Sequence, residues 1–212
     1  MSMLLSVVAQ SRRRGFDPLS LSPALWLADS GANPDLWPDL SGHGRDAVAQ
    51  GTQPAVISNG LNGKQVRDFS GVRGFLFPRP LSLASIFVVQ RPQGHAWGIF
   101  GTSNGPVGWI GNDGATGVVA FNCGTPSFRL NGAPVGWTNR GQVHTDTNNS
   151  WNLVAAENFN FNAHPDLVGL ADRSGFFYSG QIAEILIYAP LAPADTEIVE
   201  NYLAVKWGIG IA

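Results

Sequence analysis

The chain has 212 residues, 44% of them apolar and 13% charged, with a formal net charge of −2. That balance excludes a disordered chain, and the near-neutral charge gives no general attraction to nucleic acid or to an anionic membrane surface. A single cysteine, Cys123, excludes an internal disulfide and a cysteine-based metal centre, and is read as a small buried apolar residue.

Residues 1–16 lack a turn-bounded pattern and read as an N-terminal docking arm, with the folded domain over 17–212. The arm carries Met3, Leu4, Leu5, Val7 and Val8, then Arg12, Arg13 and Arg14. A secretory leader places its charges before the apolar run, so this order argues against general secretion, and no apolar run reaches bilayer length. The chain is expected to be made and kept in a cytoplasm, without membrane insertion. The arginines read as a solvated basic arm or a contact to an acidic partner surface.

The fold opens at Phe16-Asp17-Pro18, and Ala24 to Leu27 is the first expected strand. Residues 29–44 are rich in Gly, Pro, Asp and Asn and read as loop. Short apolar runs bounded by turn residues follow: Ala55–Ile57, Val66–Phe69, Phe75–Phe77, Ser85–Gln90, Trp97–Phe100, Val107–Ile110, Val118–Phe121, Ser127–Leu130, Asn152–Ala156, Val168–Leu170 and Gln181–Tyr188. Strands at this spacing, without helical periods between them, predict an all-β sandwich or barrel. In the last strand, Ala183, Ile185 and Ile187 are expected on one face and Ile182, Glu184, Leu186 and Tyr188 on the other. Both faces are largely apolar, so this strand should be central and covered on both sides.

One helix is predicted, over Pro193–Trp207. Pro193 suits a first helical turn, Asp195 and Glu197 complement the positive helix end, and Gly208 suits the C-terminal cap. Ile198, Tyr202 and Val205 lie at helical spacing to pack on the sheet, with Val199, Leu203 and Trp207 nearby.

Four segments in order carry a resemblance. Pro23-Ala-Leu-Trp-Leu-Ala-Asp29, Asp39-Leu-Ser-Gly-His-Gly-Arg-Asp-Ala47, Pro54 to Gly63 with Val66-Arg-Asp-Phe-Ser-Gly71, and Gly180 to Tyr188 with Leu191 to Ile209 resemble the concanavalin A-like domains of laminin-G type found in bacteria and their phages. The likeness covers roughly residues 23–90 and 176–210; the middle is similar in style only. It implies a two-sheet antiparallel jelly-roll sandwich with a closing C-terminal helix. It does not fix a function, since that fold hosts lectins, adhesive modules, glycosidases and virion proteins. Where the family often has Arg-Phe-Asp-Gly, this chain has Arg67-Asp-Phe-Ser-Gly71, so a family calcium role does not carry over residue by residue.

Glycosidases of this fold place their carboxylates on one strand as Glu-x-Asp-x-x-Glu, and no such run exists here. The glutamates are Glu157, Glu184, Glu197 and Glu200; Glu184 lacks an acid partner at i±2 or i±4 and reads as bonded to a neighbouring strand or loop. There is no nucleophile elbow and no phosphate loop, so no catalytic residue is assigned and the chain is read as a non-enzyme. His144-Thr-Asp146 and His164-Pro-Asp166 would chelate a metal if extended, and otherwise are exposed loop residues. No cofactor is expected; calcium is the one candidate, through Asp35, Asp39, Asp46 and Asp113. For glycan binding, the aromatic and planar polar residues are Trp97, Trp109, Asn112, Asp113, Trp137, Asn139 and Arg140. Asn148, Asn149 and Ser150, with Asn158, Asn160 and Asn162, either display amides or form a solvated hairpin.

The resulting expectation is a virion-associated accessory protein, such as a capsid decoration, head fibre or tail accessory. It would dock through its arm onto other virion subunits, in repeated copies or as a multivalent homo-oligomer. The alternative is a lectin-like module recognising a cell-surface glycan.

Overall fold

The structure is a computed structural model that describes residues 15–28, 31–69, 74–94, 98–101, 125–161, 167–170, 172–173 and 176–212. After a 3-10 turn at Pro18–Leu21, capped by the Asp17 carboxylate, the described residues form fifteen strands and two helices. The strands are β1 (Leu25–Leu27), β2 (Leu36–Trp37), β3 (Ala47–Ala49), β4 (Ala55–Leu61), β5 (Lys64–Asp68), β6 (Phe75–Pro78), β7 (Leu83–Pro92), β8 (Phe100–Gly101), β9 (Ser127–Leu130) and β10 (Ala133–Val135). Helix α1 (Arg140–Thr147) then precedes β11 (Asn152–Asn160), β12 (Leu167–Leu170), β13 (Asp172–Arg173), β14 (Phe176–Phe177) and β15 (Gly180–Tyr188), and α2 (Pro193–Trp207) closes the chain.

The larger sheet runs β10-β9-β11-β7-β15-β5-β4, and β1 pairs with the C-terminal half of β15. The smaller sheet runs β2-β3-β6-β12-β8, and every recorded pairing is antiparallel. The two sheets face each other across one core, where Ile86, Val88, Val154 and Ile185 of the larger meet Phe75, Phe77, Phe100 and Val168 of the smaller. This is the expected all-β sandwich.

A second core lies on the other face of the larger sheet. Phe87, Val89, Leu153, Ala155 and Leu186 pack there against Val199, Leu203 and Trp207 of α2. The alternation of β7 and β11 feeds both cores, because successive side chains point to opposite faces. Strand β15 is central and covered on both sides, as its sequence predicts, but its expected faces need correction. A register shift between Ile182 and Glu184 inserts one extra residue. Ile182 therefore joins Ile185 and Ile187 in the sandwich core, and Ala183 joins Leu186 and Tyr188 under α2.

Three further corrections are local. The expected loop over 29–44 contains β2, whose Trp37 is buried and donates its indole N–H to Ala28 O at 2.6 Å. Strand β11 continues past Ala156: Asn158, at φ 59°, carries a bulge that delivers Phe159 and Phe161 into the sandwich core. The Asn158–Asn160 tract is thus strand, not a solvated hairpin. Helix α1 stands where exposed loop was expected. The expected strands at Val107–Ile110 and Val118–Phe121, and Cys123, lie outside the described residues.

Two Asn-Gly pairs turn the hairpins. Asn62-Gly63 links β4 to β5 and Asn131-Gly132 links β9 to β10, all four at positive φ, the backbone such two-residue turns require. The Asn62 amide also donates to Lys206 O at 3.0 Å, tying the first turn to the end of α2.

Candidate functional site

The arm's own residues, Met3 to Arg14, lie outside the described residues; its root does not. Phe16 meets Tyr202 of α2 edge-on at 5.6 Å, and Leu21 belongs to the same outer core. The Tyr188 hydroxyl donates to Pro18 O at 3.4 Å. Phe16, where the fold was expected to open, is thus packed on α2.

Helix α2 buries Val199, Leu203, Ala204 and Trp207, and not the stripe expected to face the sheet. Ile198 is 40% exposed and Val205 82%, with Tyr202 half-buried between them. The helix spreads its apolar residues over more than one side, among Asp195, Glu197, Glu200, Asn201 and Lys206, so periodicity alone does not choose its buried face. The choice is made by Trp207 and Lys206, which reach Glu184.

Glu184 is fully buried. Its carboxylate accepts the indole N–H of Trp26 at 2.6 Å and that of Trp207 at 2.5 Å, and pairs with Lys206 Nζ at 2.7 Å. The ammonium lies over the rings of Trp26, Tyr202 and Trp207 at 5.3 to 5.7 Å. A carboxylate so engaged ties β1, β15 and α2 together. Burial, and then the neighbouring Glu184 charge, pushes the Tyr202 hydroxyl up. Along the same helix, Glu200 pairs with Arg129 of β9 at 2.9 Å. Burial raises the Glu200 carboxyl above its ordinary range, against the opposing pull of Arg129.

The Asp39 motif is a structural turn. Asp39 accepts from the backbone N–H of Trp26, Ser41 and Arg45 at 2.9 to 3.0 Å and from Ser41 Oγ at 2.8 Å. Burial opposes its ionisation, but these donors outweigh burial and hold the carboxyl below its ordinary 3.8. Asp46 accepts from Asp39 N at 2.8 Å, and Gln53 donates to Asp35 at 2.5 Å. Among the described residues, no group of three His, Cys, Asp or Glu is placed to hold a metal. Arg67 donates to Asn33 O and Leu36 O, each at 2.9 Å, and lies 5.7 Å from the centres of the Trp37 and Phe75 rings. It fastens the loop before β2 to the sandwich.

The expected glycan residues divide in two. Trp97, Trp109, Asn112 and Asp113 lie outside the described residues, as do His164 and Asp166. Trp137, Asn139 and Arg140 come together at α1, beside a cleft of about 690 Å³. Trp137 is only 5% exposed, tilts against Phe128 at 5.8 Å, and donates its indole N–H to Asp146 at 2.7 Å. Its ring is therefore core, not a stacking platform. Asn139 is the N-cap of α1, accepting from Gln142 N, while Gln142 Oε1 accepts back from Asn139 N. Arg140 is the first helical residue.

The helix also separates His144 from Asp146, since residues two apart on a helix point about 200° apart. His144 meets Asn148 at 3.3 Å, and Asp146 meets Trp137. The chelating pair that an extended chain would have made at His144 and Asp146 does not form. Gln142, Thr145 and Asp146 line the cleft and were missed as a group; the Asn139-x-x-Gln142 capping box was the readable sign of this helix.

No family model, curated protein or solved structure matches the chain.

Proposed function

We propose that the chain is a non-enzymatic virion-associated accessory protein with a concanavalin A-like jelly-roll, made in a host cytoplasm and anchored to other virion subunits by its N-terminal arm. The observation that carries this reading is the root of the arm. Phe16 packs on Tyr202 of α2 and Pro18 O accepts from Tyr188, so the apolar and basic segment that precedes them in sequence is joined to a fixed point of the fold. The acids Glu184, Glu200 and Asp39 are engaged in holding elements together, which leaves binding as the task of the surface. Many weak arm contacts on a repetitive particle add up through effective concentration.

The test is co-sedimentation with particles from a producing lysate, comparing the full chain with residues 15–212. Binding to particles by the full chain alone, with capsid or tail subunits in the pellet, is the expected result. Equal binding by both forms, or by neither, overturns the anchor.

A second reading is favoured by the cleft at α1. Gln142 and Asp146 are exposed, Asn139 half-exposed, and such planar polar groups suit sugar hydroxyls. A glycan array screened with wild type and Gln142→Ala/Asp146→Ala would register it as signal lost in the variant. An array with no signal removes it.

A further inference from the structure

We infer that the cleft beside α1 selects uncharged, hydroxyl-rich rings, such as a neutral hexose, over their carboxylate-bearing counterparts, with Gln142 and Asp146 acting as a fixed donor and acceptor. The inference rests on the reading of this cleft as a sugar site and names the class of sugar it takes. Gln142 and Asp146 lie one helical turn apart on α1, and both line the cleft. That spacing puts their Cβ atoms about 6 Å apart on one side of the helix.

Each of the two side chains is held in one orientation by the fold behind it. Gln142 Oε1 accepts from the backbone N–H of Thr138 at 2.7 Å and of Asn139 at 3.3 Å, and from Thr138 Oγ1 at 3.1 Å. Backbone N–H groups only donate, so the amide oxygen must occupy that side and the amide N–H donors turn away from it. Among the described residues nothing accepts from those donors. Asp146 Oδ2 accepts the Trp137 indole N–H at 2.7 Å, and Trp137 is itself buried against Phe128. The carboxylate is thereby anchored by one oxygen, and no described donor meets the other. Thr145, in the same lining, spends its hydroxyl proton on Gly141 O at 3.0 Å and so offers a ligand an acceptor. Gln142, Thr145 and Asp146 thus present one donor group and two acceptors, and a ligand must bring protons of its own. Adjacent ring hydroxyls do so: one accepts from the Gln142 amide while its neighbour donates to Asp146. A carboxylate brings no proton. It would also meet Asp146, the single charged side chain among the described residues of the lining, with no cation there to offset it. Pro134 and Val135 of β10 add an apolar wall, suited to the C–H face of a sugar ring.

The test titrates the full chain with matched oligosaccharides, ended by glucose, galactose or mannose and, beside each, by the corresponding uronic acid. The members of a pair differ only in a hydroxymethyl group replaced by a carboxylate. At low salt the neutral member should bind roughly tenfold more tightly, and added salt should narrow the gap, since Asp146 is exposed. Two conservative variants move the preference in opposite directions. Asp146→Asn keeps an oxygen for the Trp137 indole and sets an amide N–H beside that of Gln142; two donors fit a carboxylate, so the uronic-acid member should become the tighter one. Gln142→Glu keeps an acceptor for the N–H groups of Thr138 and Asn139, so α1 stays capped, and its second negative charge should widen the gap. Equal affinities within the wild-type pairs, or tighter binding of the uronic acids, overturn the inference and leave the cleft a sugar site. So does an order that Asp146→Asn leaves unchanged. Binding of neither series removes the sugar reading of the cleft, and this inference with it.

Discussion

Glu184 sits on the central strand of the larger sheet with three donors on its two oxygens, and its replacement measures what a buried ion costs when half is removed. Glu184→Gln keeps the shape but turns an amide N–H toward an indole N–H and leaves Lys206 without its counter-charge. Breaking a buried pair in this way costs about 3–5 kcal/mol. Partial exposure of Lys206 puts the expected loss at the low end, read as a lower urea midpoint with unchanged slope. Asp39→Asn acts through hydrogen bonds: one amide cannot accept from four donors, and a loss of about 1–3 kcal/mol at neutral pH is expected. Because the folded state lowers the Asp39 pKa, its contribution is present above 3.8 and disappears as pH falls through the lower folded value. Unfolding curves of wild type and Asp39→Asn should therefore converge only on the acid side of 3.8. A gap that persists unchanged into that range would show that the carboxylate charge is not what the turn needs. The Asp39 turn is legible in sequence because its donors lie within a few residues, Trp26 excepted. The Glu184 cluster is not, since Trp26 is 158 residues away and nothing local to either residue marks the pair.

At the scale of elements, the limits of Pro193–Trp207 were readable from Pro193 and Gly208, but not the helix's orientation. Apolar residues spread over more than one side of the helix give two acceptable stripes, and long-range anchors select one. Leu203→Ala tests the selection, since it removes a fully buried side chain from the outer core and should cost about 2–5 kcal/mol. Val205→Ala, on the exposed stripe, should stay within about 0.5 kcal/mol. Thermal unfolding that ranked the two substitutions the other way round would mean α2 packs by the stripe its periodicity first suggests. The same competition between local and long-range signals explains β15. Alternation assigns its faces correctly only until a bulge intervenes, and a bulge leaves no mark in an apolar run. Helix α1 failed for the opposite reason. It has little apolar face, burying only Val143 and Thr147, so the capping box is almost its whole signal.

The whole molecule is three layers, with the larger sheet shared between two cores. The number and spacing of strands foretold the sandwich, whereas the outer core depended on contacts between the first folded residues and the last helix. That dependence sets different expectations for two truncations. A chain of residues 15–212 retains Phe16, Pro18 and Leu21, and with them both described cores. It should unfold in one cooperative transition, losing at most about 1.5 kcal/mol, the worth of a single apolar side chain returned to water. A chain of residues 22–212 loses the Phe16 ring from Tyr202, the Pro18 acceptor from the buried Tyr188 hydroxyl, and Leu21 from the outer core. Removing the half-buried Phe16 ring costs up to about 3 kcal/mol, and an orphaned buried hydroxyl adds to it. Denaturant unfolding followed by tryptophan fluorescence separates the cases, because Trp26 and Trp207 report the outer core. A large loss for the shorter truncation and a small one for the longer chain would establish the first seven folded residues as part of the sandwich. Equal stabilities would make them a passive continuation of the arm, and the rigid root on which arm-borne docking depends would be gone.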